Sequence, residues 1–557
     1  MLATYVSDLA LGFAAFRLGL AAVTLLALVA LWKRPHPLGA VAVVLATHLA
    51  CWAAYRAPLE RPYALERATD RAFNLGMAAT TAAGNSPFEH TQVRLKSPEP
   101  LWNVLVAALA GFHPDFVATA WDALTPLSLC AVALGLYFGL RQPQDIGFSE
   151  SGLVSAERWE NALIVFAVLG LSSLTMSGRP PTPPFWLANF MLKPHHAASY
   201  GLVAIAMGLA SRDRQRPWAL AAVLALLAWA ALLNWAFLVA GLVVSSVTGS
   251  PRRIRAIAIA VALSVAAAAP YFAHLAADYG PGQSHGAAEH MWTDPHGLPL
   301  AVPNWSTLDL GPLLSLGAFG VWAMARRGAP RDRTALGVLA AAAGLWAVSM
   351  PAAIAGVAPE PDDLHYFLRF AAAIAAGSAL AVAGRGAESA FVLGPGRGHV
   401  LALAACLPFS FPYYWDPPTM DRYYPMSLRP VSRKVLDYAD WIRLHTPPDA
   451  VFLAGPTAST YIPALAGRRV LVNDRGQLKP RDYADRKEAE RVLLTSRDPG
   501  ILRATAARFG VTYLAVDPEL SGEYGEEALR SEAYRTVFQN SAARIVEVDA
   551  AAERPPR

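Results

Sequence analysis

The chain is short of charge and of cysteine. Asp, Glu, Lys and Arg make up only 16% of its 557 residues, 54% are hydrophobic, and the mean hydropathy is +0.32. Soluble domains carry about a quarter charged residues, so the deficit excludes an ordinary soluble protein and points to a polytopic membrane protein. The 3 cysteines, Cys51, Cys130 and Cys406, all lie in apolar stretches, which supports neither a disulfide framework nor a zinc site. Lysine is scarce, and arginine supplies most of the positive charge. A net charge of +5 and a pI near 9.0 would suit a nucleic-acid binder. The arginines, however, sit in short clusters between apolar runs instead of on one face, which is a topology signal, so no nucleic-acid partner is expected. The N-terminus lacks the charged start and small-residue cleavage site of a signal peptide, and its first apolar run is expected to be retained.

Apolar runs near the ~20 residues needed to cross a hydrocarbon core recur from Leu9 to about Tyr414 and then stop. About 12 membrane helices are expected, near 9–32, 38–55, 119–140, 159–176, 197–211, 218–232, 233–249, 253–272, 308–326, 335–352, 367–384 and 398–414. The run Trp218 to Val247 is too long for one untilted span and is interrupted at Asn234-Trp235, so it reads as two short helices. The basic connections Lys33-Arg34, Arg141, Arg212 to Arg216, Arg252 to Arg255, Arg326 to Arg333 and Arg385 to Arg397 go to the cytoplasm by the positive-inside rule. Both termini then lie outside it, with the loops Arg56 to Ala118, Ser177 to His196, Ala273 to Thr307 and Ala353 to Tyr366. These loops collect the acids and histidines that are not topology charges, and chemistry is expected on their side.

The expected domains are a membrane domain over 1–414 with a large external loop at 56–118, a juxtamembrane linker at 415–429, and an extracytoplasmic α/β domain over 430–557. Helical patterns at Ser432 to His445, Ala484 to Leu494 and Gly500 to Phe509 alternate in the last with strand patterns at Ala450 to Ala454, Arg469 to Val472 and Thr512 to Val516. This domain is expected to fold by itself, and its strand-end acids Asp474 and Asp517 are expected to be solvated.

Within the first loop Asp70 stands out, in a polar stretch (Thr69 to Phe88) between long apolar runs. A carboxylate at the bilayer edge can serve as a base toward a substrate delivered by a lipid; its bland alternative is a solvated acid paired with Arg67 or Arg71, and Glu60, Glu66 and Glu89 in the same loop are the fallback candidates. Leu101 to Phe112 is apolar but shorter than a span and suits a helix lying in the interface. Lys193, followed by Pro194, His195 and His196, lies on the non-cytoplasmic side against the topology bias. A snorkelling lysine is the alternative. Arg369 follows Asp362 and Asp363 at another span entrance, where a simple Asp-Arg pair is the alternative. The loop of His285, Glu289, His290, Asp294 and His296 has metal-ligand residue types without the His-Glu-Xaa-Xaa-His spacing and reads as a substrate-covering loop. No cofactor is called for, although a divalent metal stays open. Arg17 is the one charge well inside an expected span.

In their order and common side of the membrane these features resemble the GT-C superfamily, polytopic glycosyltransferases that use polyprenyl-phosphate-linked sugars. The resemblance rests on Asp70 with Met77 to Asn85, the Pro-Leu-Trp start of the interfacial helix (Pro100 to Trp102), Lys193 to His196 at the start of a span, and the terminal domain with Trp441 to Ala454 and Ala464 to Val470. It implies Asp70 as general base, and an inverting transfer of sugar from a polyprenyl-phosphate donor to an extracytoplasmic glycan, lipid or protein acceptor. The protein would be a multi-pass protein of a bacterial inner membrane, in contact with its lipids. Lys193, His195, His196 and Arg369 are then candidates to meet the donor phosphate, which gains negative charge as it leaves. Asp362, Asp363 and His290 are candidates to bind substrate. The Trp-Trp-Asp motif of the oligosaccharyltransferase branch is absent; Tyr413 to Pro417 and Met420 to Tyr424 come after the last span instead, which puts transfer to protein sequons in doubt. A lipid-linked glycan transporter or flippase, or a non-catalytic envelope-assembly protein, is the rival, but it would favour paired ionisable residues and broken helices at the midplane.

Overall fold

The computed structural model describes residues 2–56, 70–93, 97, 100–140, 151–171, 194–212, 216–247, 249–278, 307–354, 362–410, 431–473, 480–524 and 528–549. Two compact units emerge. One comprises Met1–Glu60, Thr125–Ala268 and Ala287–Pro425, and the other Arg61–Leu124, Ala269–Gly286 and Met426–Arg557.

The helices up to the last apolar run are α1 (Leu2–Lys33), α2 (Pro37–Arg56), α3 (Asp70–Ala82), α4 (Pro100–Leu109), α5 (Val117–Leu134), α6 (Ser151–Gly170) and α7 (Pro194–Ala210). They continue as α8 (Pro217–Ala230), α9 (Leu232–Ser246), α10 (Pro251–Asp278), α11 (Thr307–Arg327), α12 (Pro330–Ile354), α13 (Asp362–Ala390) and α14 (Arg397–Ser410). Proline opens α2, α4, α7, α8, α10 and α12; at that position its missing N–H has no intrahelical partner to lose and its φ is already helical. Within the described residues, each of the twelve expected segments overlaps one or more of these helices. Among the described residues, three helical stretches are long and apolar enough to cross a membrane: Pro114–Gly139, Pro251–Asp278 and Tyr366–Ala390.

The run from Trp218 does divide, but at Ala231 (φ −159°, ψ 86°) and not at Asn234-Trp235. Asn234 is used in packing: its Nδ2 donates to Ser199 Oγ at 2.6 Å. At 1.5 Å per residue, α8 and α9 are each about 21–23 Å long, well short of a hydrocarbon core of about 30 Å.

In the first unit α6 is buried on all sides from Ala162 to Leu169, as is α13 from Ala373 to Ala376; helices apolar all round belong at the centre of a bundle. Alanine and glycine let backbones approach closely. A Cβ on Gly135, in the π-turn Gly135–Gly139 that extends α5, would lie 2.7 Å from the Cα of Gly201 in α7.

The second unit carries the sheet. Its remaining elements are α15 (Arg433–His445), β1 (Val451–Ala454), the short helical turns Ala458–Tyr461 and Ile462–Ala466, β2 (Arg469–Val470), α16 (Tyr483–Thr495), α17 (Pro499–Phe509), β3 (Tyr513–Val516), α18 (Pro518–Tyr524), β4 (Tyr534–Gln539) and β5 (Arg544–Val548). The strand order is β2-β1-β3-β5-β4, with β2, β1 and β3 parallel and β5 and β4 antiparallel. β1 and β3 are buried along their whole length, as expected of parallel strands covered on both faces. The helix-strand alternation is as read from the sequence, and the β4-β5 hairpin is additional. Ser432 caps α15 and Asp498 caps α17.

Residues 61–124 belong to this unit. The N–H of Val470 donates to Thr91 O at 2.8 Å and the N–H of Val93 to Val470 O at 2.9 Å, so residues 91–93 continue the sheet in parallel beyond β2. Val93 joins the apolar cluster of Leu453, Leu471, Leu493 and Leu514.

Candidate functional site

Asp70 is the first residue of α3, where an acid is favoured by the helix dipole; its side chain lies outside the described residues, as do Glu60 and Glu66. The rest of α3 is tightly fixed. Leu75, Met77, Ala78 and Ala79 are buried, and the hydroxyls of Thr80 and Thr81 donate to Met77 O at 2.9 and 3.0 Å. Asn85 Nδ2 donates to Thr80 O and to Pro448 O, both at 3.1 Å. Glu89, one of the other candidate acids, is engaged: it accepts from Arg469 Nη1 at 2.8 Å. Asp115, just beyond α4, pairs with Arg443 of α15.

Helix α4 has one buried and one exposed face. Trp102, Asn103, Val106 and Ala107 are buried, with Trp102 edge-on to Trp121 at 6.1 Å, whereas Leu101, Val104, Leu105 and Leu109 are exposed. Phe112 and Phe116, also exposed, extend the apolar face.

The described phosphate and substrate candidates belong to the first unit. His195 and His196 lie in the first turn of α7, Asp362 and Asp363 in the first turn of α13; their side chains, and Lys193 and His290 entirely, lie outside the described residues. Arg369, at 8% exposure, is a buried cation seven residues after Asp362, and that spacing puts both on one helix face. Tyr200 of α7 meets Phe370 and Phe367 of α13 at 4.6 and 6.3 Å, and Phe367 meets Phe237 of α9 at 5.4 Å.

The middle of α13 is tied to α6, α11 and α12 by an ionic cluster built on arginines that also read as topology charges. Glu160 of α6 accepts two hydrogen bonds from Arg327 (2.8 and 2.9 Å) and one from Ser378 of α13 (2.6 Å), and pairs with Arg331 at 2.7 Å. Arg327 also bonds Asp332, while Arg331 donates to Asn161 Oδ1, whose Nδ2 donates to Tyr137 O. Gly208 of α7 lies against Gly139, close to Tyr137. Helices α7 and α13 therefore start at the end of the bundle remote from Glu160 and run toward it. Asp362 and Ser378 are 16 residues apart, about 24 Å along α13. The candidates His195, His196, Asp362 and Asp363 thus share one end of the first unit, with Arg369 two turns in.

In the second unit Asp517 is not solvated: it is 7% exposed at the end of β3, and its Oδ1 accepts from the N–H of Leu520. Burial holds its carboxyl above the usual range. Arg468 is buried and donates to Thr446 Oγ1 and to the carbonyls of Arg443, Thr446 and Ala466. It satisfies the open end of α15, and burial, with Arg443 nearby, lowers it to about 10. His90 is buried and accepts the N–H of Gln92 on Nδ1 at 3.0 Å; burial, reinforced by Arg486, pushes it down to about 3. Among the described residues, no group of three or more His, Cys, Asp or Glu side chains could hold a metal ion.

No family model matches the sequence, and no curated protein matches it. Solved structures do. ArnT from Cupriavidus metallidurans, bound to undecaprenyl phosphate, is similar over 93% of this chain and 99% of its own, with a TM-score of 0.50 at 14% identity. The Archaeoglobus fulgidus oligosaccharyltransferase, tethered to an acceptor peptide containing the NVT sequon, is similar over 91% of this chain and 73% of its own, with a TM-score of 0.48 at 12% identity. A second structure of that enzyme, in complex with Zn and sulfate, is similar over 86% and 68%, with a TM-score of 0.43. At such identity a likeness speaks for fold, and in fold the chain resembles the GT-C glycosyltransferases.

Proposed function

We propose that the protein is a membrane glycosyltransferase that moves a sugar from a polyprenyl-phosphate-linked donor to an acceptor on the extracytoplasmic side of a bacterial inner membrane. In this reading ten apolar helices cross the bilayer, the short α8 and α9 enter it as a pair that meets near the far leaflet, α4 lies in its outer interface, and the sheet domain stands outside it. Asp70 takes the proton of the acceptor hydroxyl as that oxygen attacks the anomeric carbon, with inversion. The bond from that carbon to the phosphate oxygen breaks, and Lys193, His195, His196 and Arg369 meet the charge left on the lipid phosphate. Asp362, Asp363 and His290 contact the sugar or acceptor. No metal-dependent step is invoked.

The observation that carries the reading is the gathering of the α7 and α13 starts, with the buried Arg369, at the end of the bundle remote from Glu160. The likeness to ArnT, which binds undecaprenyl phosphate, supports it. Purified protein in nanodiscs, titrated with undecaprenyl phosphate and with undecaprenol, tests it. The reading expects saturable binding of the phosphate at least ~10-fold tighter than of the alcohol, the worth of about 1.4 kcal/mol; equal binding of the two removes the phosphate site. Tight binding without transfer from any linked sugar would favour the non-catalytic assembly role.

A further inference from the structure

Helix α3 has 13 residues, about the length at which an isolated helix is marginal in water, so something else must hold it. Two glycines mark where. A Cβ on Gly76 would fall 2.9 Å from Pro463 Cβ and 3.0 Å from Thr91 Cγ2. Gly467, which ends the turn Ile462–Ala466 with φ +65°, would put a Cβ 2.8 Å from Ala79 O and 3.1 Å from Ala83 Cβ. Residues 76, 79 and 83 recur at helical spacing, so one stripe of α3 lies on the turn between β1 and β2. The chain after α3 then returns along β2, through the hydrogen bonds of Thr91 and Val93 with Val470 and the Glu89–Arg469 pair.

We propose that this C-terminal turn and strand set the position of Asp70, with Gly467, Gly76, Glu89 and Arg469 as positioning residues for the base. The proposal rests on the reading of Asp70 as the base. From Ala79 to Asp70 is nine residues, about 13 Å along the helix. A tilt of about 5° at the glycine contacts therefore carries the first residue of α3 about 1 Å, and a displacement of that size can lower turnover by as much as about 100-fold. The C-terminal domain thereby governs the chemistry without touching substrate.

The experiment uses the full chain in nanodiscs, with four variants: Gly467→Ala, Glu89→Arg, Arg469→Glu and the double exchange Glu89→Arg/Arg469→Glu. Hydrogen exchange of residues 70–82 is measured without ligand. Turnover is measured with a panel of undecaprenyl-phosphate-linked hexoses and pentoses, alongside Asp70→Asn. The expected result is faster exchange at 70–82 and kcat lowered about 10-fold or more in each single variant, with donor KM within about twofold of wild type, and recovery of both in the double exchange. The recovery distinguishes positioning from general damage and stands even if Gly467→Ala fails to fold. Unchanged exchange and kcat in the charge variants, beside an inactive Asp70→Asn, overturn the positioning role alone. Wild-type kcat in Asp70→Asn removes the base on which it rests, and faster exchange at 70–82 would then be a structural effect only.

Discussion

The backbone N–H of Val93 donates to the carbonyl of Val470 at 2.9 Å, joining the loop after α3 to a strand nearly four hundred residues later. The edge of β2 is thereby covered by residues 91–93, and an uncovered strand edge is a template for misassembly. Residues 61–124 and the C-terminal sheet are parts of one folded unit.

Acid should loosen that unit through His90. Its folded pKa of about 3 lies below the ordinary 6.5 because burial, with Arg486, disfavours the charged ring. The stability it confers is therefore complete above 6.5 and is lost as pH falls toward 3. At pH 5 the loss should be about 2 kcal/mol relative to pH 7. Hydrogen exchange in β1 and β3 should report it, and His90→Gln should flatten the pH dependence between 7 and 5. An unchanged slope in that variant would assign the effect to another group.

Breaking the Glu160 cluster should destabilise the first unit. Removing one partner of a buried ion pair leaves the others uncompensated, at ~3–5 kcal/mol, and Glu160 is the centre of bonds from α11, α12 and α13. Glu160→Gln should lower the melting temperature in detergent far more than Arg333→Gln, whose side chain bonds the carbonyl of Gly328 at an exposed position.

Arg468→Met should destabilise the sheet domain by ~2–4 kcal/mol, because it strands the carbonyls of Arg443, Thr446 and Ala466 that the guanidinium satisfies. Chemical denaturation combined with exchange in α15 would measure it. Loss confined to turnover, with α15 unaffected, would be the wrong outcome.

The sequence made the helices legible because proline starts, arginine clusters and apolar length all mark their ends. It also made the α15, β1, β2, α16, α17 and β3 series legible, through alternating patterns bounded by Gly, Pro and Asp. The β4-β5 hairpin was not, since β4 is half-exposed and mixes Arg, Thr and Gln with its apolar residues. Asp517 was expected to be solvated because a strand-end acid usually is. Its burial depends on the helix start at Pro518, whose N-terminal amides it caps. Arg327 and Arg331 read as topology charges because their partner, Glu160, is more than 160 residues away. The pairing of 91–93 with β2 was hidden for the same reason, as parallel partners separated by most of the chain leave no local signature. Asp70 could be singled out by its polar setting, but what holds its helix could not.

Arg369→Ala and Lys193→Ala should weaken donor binding more than acceptor use. Each should cost on the order of 1.5–3 kcal/mol, the range for a hydrogen bond to a charged group. Undecaprenyl phosphate titrations should therefore shift by roughly 10-fold or more. Unchanged affinity in both would return Lys193 to a snorkelling role and Arg369 to a structural pair.

The most direct measurement is single-turnover transfer from undecaprenyl-phosphate-linked sugars by wild type and Asp70→Asn in nanodiscs, with undecaprenyl phosphate binding measured on the same samples. The account predicts transfer by wild type, a loss of about 100-fold or more in Asp70→Asn, and equal lipid-phosphate binding by both. Transfer by Asp70→Asn at the wild-type rate would contradict it.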